Sequence, residues 1–92
     1  MDPPQTAVIN LFNMFADKKA FAPDEDQRLQ IMLSLLLIAN EESMVEKVKQ
    51  NYSSEKIEEM LNAPLTPWVS HVLNMMGVKR PSSPKGVDQL PK

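Results

Sequence analysis

Cysteine is absent from this chain, histidine occurs once and glycine twice, and the aromatic residues are one tryptophan, one tyrosine and three phenylalanines. Each scarcity closes a class of chemistry. Without cysteine there is no disulfide framework and no thiol nucleophile, and the expected setting is the cytoplasm, or the nucleus in a eukaryote. With His71 as the sole imidazole, a histidine zinc cluster or a histidine-bearing triad lacks its members. Two glycines do not write a phosphate-cradling loop. Long apolar runs are missing too. The longest, Ile31–Ala39, is broken by Ser34 and as a helix spans roughly 14 Å, about half a bilayer core, so no membrane span is expected. Neither a cofactor nor a metal is called for, and no catalytic residue is assigned.

Charge is present but uneven. The formal net charge is -2. Residues 1–66 hold six basic and eleven acidic groups, net -5, whereas 67–92 hold Lys79, Arg80, Lys85 and Lys92 against Asp88, net +3. Such a basic segment on an acidic body guides association without dictating a fold.

What the chain does have is helical periodicity. Val8, Leu11, Phe12 and Phe15 recur at i, i+3, i+4, i+7 and predict an amphipathic helix from Thr6, which is placed to cap it. Pro23 is expected at the first position of the next helix, with Asp24, Glu25 and Asp26 in its first turn opposing the helix dipole. Neighbouring acids on a helix diverge by about 100°, so these three do not converge on a cation. Leu29–Ala39 is apolar nearly all round, the signature of a central helix covered by the others or by a second copy of the chain. Asn40 is placed to end it. A third helix is expected to start within Glu41–Ser43 and turn Met44, Val45, Val48 and Tyr52 inward. Ser53 or Ser54 caps a fourth, with Ile57, Met60 and Leu61 inward. Thr66 caps a fifth, with Pro67 in its first turn, Val69, Val72, Leu73 and Met76 as its stripe, and Gly77 as its stop. Met14, Met32, Met44 and Met60 fall near inward stripes and read as core. No strand pattern or repeat is evident.

The expected fold is therefore all-α: a small orthogonal bundle of four to five short helices over residues 6–78. A flexible leader over 1–5 precedes it, and a disordered, basic, proline-rich tail over 79–92 follows.

Residues 53–80 resemble a helix-turn-helix, through Ser54, Ile57, Leu61, Thr66, Val69, Ser70, Leu73 and Gly77-Val78. That resemblance implies a hairpin of two packed helices at 53–78 and, for a DNA-binding regulator, Thr66–Met76 in a groove. Ser70, His71 and Asn74 would then meet base edges, and Lys79 and Arg80 would hold phosphates. The departures are chemical. Asn62 stands where glycine is usual, Glu58 where a small residue is, and the connection is one residue longer. The second helix carries no lysine or arginine, although phosphate neutralisation supplies much of the affinity for DNA. Trp68 and Met75 lie seven residues apart with Val72 between them, on one flank of the last helix. Tryptophan anchors interfaces and methionine adapts to varied surfaces. The leading reading is thus a non-catalytic protein-binding module, an adaptor, inhibitor or regulatory subunit. Its contact is Trp68, His71, Val72, Met75 and Met76, and self-association is a further expectation. Nucleic-acid binding is the alternative.

Overall fold

Residues 5–78 are described by a computed structural model. Five helices form a small all-α bundle: α1 (Gln5–Ala16), α2 (Glu25–Ala39), α3 (Glu42–Asn51), α4 (Ser54–Asn62) and α5 (Pro67–Met75), with no strand among the described residues. The segments 1–4 and 79–92, including the expected leader and tail and the phosphate-contact candidates Lys79 and Arg80, lie outside the described residues.

α2 is the axis of the bundle and packs against each of the other four helices. Its side chains from Leu29 to Leu35 are all buried, together with Val8, Phe12 and Phe15 of α1, Met44 and Val48 of α3, Met60 of α4, and Val69 and Leu73 of α5. Most of the surface that makes α2 apolar on all sides is therefore covered by its own chain. The coverage fades at its C-terminal turn, where Leu37 is 41% exposed.

Helix boundaries follow local chemistry. Ser53 Oγ accepts from the Lys56 N–H at 3.1 Å, and Thr66 Oγ1 from the Val69 N–H at 3.2 Å. Each satisfies an N–H group that the first turn leaves without a helical partner. Asn40 ends α2 in the left-handed conformation at φ 53°. After α5, Gly77 takes φ 72°, its N–H donates to Asn74 O, and the Val78 N–H donates to Leu73 O. This is the paired closure of a Schellman motif, completed by burial of Val78 near Leu73. α1 closes with the same geometry without a glycine. Lys18 sits at φ 61°, with Lys18 N–H donating to Phe15 O and Lys19 N–H to Met14 O.

Several expectations require correction. Gln5 belongs to α1 rather than to a leader, and its side-chain amide donates to Ala39 O and to Glu41. Thr6 therefore lies inside the helix, not at its cap. Pro23 stands one residue outside α2's cap. Asp24 is the cap instead, because its carboxylate reaches the Gln27 N–H at 2.8 Å, which a proline cannot do. Met14 is 46% exposed because α1 buries the narrower stripe Val8, Phe12 and Phe15. Leu61 is likewise exposed, one position beyond the buried Met60.

The largest correction concerns the hairpin. Both helices of the helix-turn-helix resemblance are present, but among the described residues no Cα of α4 comes within 8 Å of one in α5; each packs on α2 instead. The cause is polar. Gln30, buried on α2, donates to Pro64 O at 3.0 Å and accepts from the Thr66 N–H at 3.4 Å. Thr66 Oγ1 also donates to Gln27 Oε1 at 2.7 Å. With Pro64 and Pro67 stiffening it, the linker is stitched to α2, and α4 and α5 leave it as separate elements.

Candidate functional site

α5 presents two different surfaces. Val69 and Leu73 are buried against α2, whereas Ser70, His71, Asn74 and Met75 are exposed and Trp68, Val72 and Met76 are half-buried against the core. The spacing 68, 72, 75 and 76 places the latter side chains along one face. Trp68 is thus neither a plug sealed in the core nor a free surface anchor. Its inner side packs on the core, and its ring meets Phe21 edge-on at a centroid separation of 6.1 Å and an interplanar angle of 83°. That is the T-shaped geometry favoured by ring quadrupoles.

Phe21 is 75% exposed and Met75 73% exposed. Together with Trp68 they make an apolar strip along the flank of α5. The sequence reading missed Phe21, since it belongs to no helical stripe. The available signal was an isolated aromatic between Lys19 and Pro23, with no helix to bury it.

Phe21 is held out by a clamp beneath its loop. Arg28, buried near the start of α2, donates from Nη1 to Phe15 O at 2.9 Å and to Ala20 O at 3.0 Å, and from Nε to Glu25 at 3.3 Å. Its charge meets the carbonyl end of α1, where a cation opposes the negative end of the dipole. Glu25 also lies 3.9 Å from Lys18 and accepts from the Tyr52 hydroxyl at 2.9 Å. Burial first, and then the Glu25 carboxylate beside it, push the Tyr52 phenol well above its ordinary value, so it stays a donor.

The three acids of α2's first turn diverge as expected. Asp24 caps, Glu25 joins Lys18, Arg28 and Tyr52, and Asp26 pairs with Lys56 at 3.2 Å. Hydrogen bonding to Asp26, with the Asp26 charge behind it, raises Lys56. The Gln27 backbone and side-chain N–H groups hold the Asp24 carboxyl below its usual value. No grouping of acids and His71 able to hold a metal occurs among the described residues.

A second apolar feature lies elsewhere. Leu33, Leu36 and Leu37 of α2, Val45 and Val48 of α3, and Ile57 and Leu61 of α4 line an open groove of about 140 Å³, with Lys49 at its edge. No helix among the described residues is long and apolar enough to cross a membrane. In comparison with known proteins, no family model matches the chain, and no curated protein or solved structure matches it.

Proposed function

We propose that this chain is a non-catalytic protein-binding module that works through the flank of α5. The observation that carries the reading is the Phe21–Trp68 edge pair continued by Met75: two large apolar side chains more than two-thirds exposed beside a half-buried tryptophan. A rigid aromatic pair and an adaptable methionine suit an interface core, which is depleted in charge. Ser70, His71 and Asn74 supply a polar rim, and Val72 and Met76 its floor. The partner is a protein, and the setting that accords with a cysteine-free chain is the cytoplasm or nucleus. An adaptor, inhibitor or regulatory subunit fits this description.

The helix-turn-helix alternative gains no support. α4 does not brace α5, and α5 offers no cation to a phosphate. Duplex DNA at low salt is expected to leave the mobility of the protein unchanged; a shift that disappears steeply with added salt would reverse that choice.

The direct test uses Phe21→Ser and Met75→Glu, because both side chains are exposed and their loss leaves the core intact. Each variant should keep wild-type helical circular dichroism while losing capture of whatever protein the wild type retains at matched concentration. Undiminished capture by both variants rejects the surface.

A further inference from the structure

We propose that Met75 is an oxidative modification site: a peroxide converts its thioether to the sulfoxide, and the modified flank of α5 releases its protein partner. The inference rests on the reading of that flank as a protein-binding surface and names a means of switching it.

Sulfur in this chain is all thioether. No cysteine is present to intercept an oxidant ahead of the seven methionines. The fold sorts them sharply. Met32 and Met44 are 1% exposed and Met60 6%, Met76 is half-buried, Met14 is 46% exposed and Met75 73%. Met1 lies outside the described residues. Oxidation follows access, and a buried thioether reacts only when the helices around it open. Met75 is therefore the methionine among the described residues that an oxidant meets first, and it stands on the strip with Phe21 and Trp68.

The step balances between the two reactants. The Met75 sulfur attacks the hydroxyl oxygen of hydrogen peroxide or an alkyl hydroperoxide; an S–O bond forms and the O–O bond breaks. The departing oxygen takes the proton of that hydroxyl and leaves as water or alcohol. Sulfur is oxidised by two electrons and the peroxide is reduced by two.

The product is harmless in the free chain and costly in the complex. On the free protein the sulfoxide oxygen stands in water, as the exposed thioether did, so helix and core are undisturbed. Against a partner's apolar surface the same oxygen is an acceptor stripped of water, and α5 offers it no lysine or arginine. An adaptable apolar side chain has become a polar one. An acceptor left unmet in this way weakens capture by about ten- to a hundredfold. Enzymatic reduction of the sulfoxide restores the thioether, so the change is reversible.

The test treats the folded full chain with hydrogen peroxide and follows each site by fragment-ion mass spectrometry. Met75 should be the first of the described methionines to gain oxygen and Met14 the next, with Met32, Met44 and Met60 slower by more than about tenfold. Capture of the proteins retained by the untreated chain should fall in step with Met75 sulfoxide while helical circular dichroism stays constant. Methionine sulfoxide reductases should restore it. Met14→Leu should respond to peroxide as the wild type does, and Met75→Leu should capture equally before and after treatment. Three results each overturn the proposal: oxidation of Met75 no faster than that of Met14, loss of helicity alongside loss of capture, or capture by Met75→Leu that still falls with peroxide. Failure here is distinct from failure of the surface. If Phe21→Ser and Met75→Glu lose capture but the Met75 sulfoxide keeps it, the surface stands and the switch alone is rejected. If those two variants also keep capture, surface and switch fall together.

Discussion

α2 and α5 are both strongly apolar helices, yet one is enclosed by its own chain and the other is not. From Leu29 to Leu35, α2 has neighbours on every side, and the polar groups it buries each grip something specific: Arg28 the end of α1 and Gln30 the linker before α5. α5 buries only Val69 and Leu73, and its polar groups face water. Apolar content measures how much surface seeks cover. Which surface obtains cover is decided by a few polar side chains that fix where the connecting segments run.

The sharpest way to break this contrast is a matched pair of truncations. Leu35→Ala, at a fully buried site, should cost about 2–5 kcal/mol by urea denaturation, whereas Met75→Ala should stay within about 0.5 kcal/mol. Similar losses at both positions would mean that α5's flank is structural. Next in size is Arg28→Met, which fits the stem but removes the guanidinium donor from Ala20 O and from Phe15 O, the latter keeping only the Lys18 N–H. Destabilisation of about 2–3 kcal/mol is expected, accompanied by a change in the near-ultraviolet signal of the Phe21–Trp68 pair. An unchanged aromatic signal would detach the clamp from the surface it supports.

The smallest effect is one of acidity. Asp24's folded pKa lies below the ordinary 3.8, first through the Gln27 backbone N–H and then through its side chain. The unfolded state therefore binds more protons in that range. Its contribution is complete above the ordinary value and is lost as pH falls through the lowered one. Thermal midpoints should fall in acid more steeply for wild type than for Asp24→Asn, which caps without titrating. Parallel pH profiles would remove this group from the account.

The helix count, the central position of α2 and the stops at Asn40 and Gly77 were legible because each rests on local chemistry: periodicity, a cap or a left-handed residue. Pro23 misled by one position, since Asp24 competes for the cap and a carboxylate satisfies an N–H group that proline merely tolerates losing. Met14 and Leu61 sit at the margins of stripes, where the angle that divides core from solvent is set by neighbouring helices. The separation of α4 from α5 was hidden for a deeper reason. It depends on Gln30 meeting Pro64 and Thr66 across more than thirty residues, and no short pattern encodes that meeting. Phe21 and the groove are likewise products of packing, visible only once loops and helix ends have been placed.

Among the helices of the described residues, α5 approaches only α2, and this gives it a distinct place in the molecule's motions. Releasing it requires parting one helix interface, the Thr66 and Gln30 contacts at its entrance and the Phe21 edge contact. Opening α2 requires dismantling the whole bundle. Local opening of this kind costs less than global unfolding. The amides of α5 should therefore exchange with solvent ahead of those in the middle of α2, and its rate of exchange becomes a direct reporter of anything that binds across the Trp68 flank and fastens the helix down.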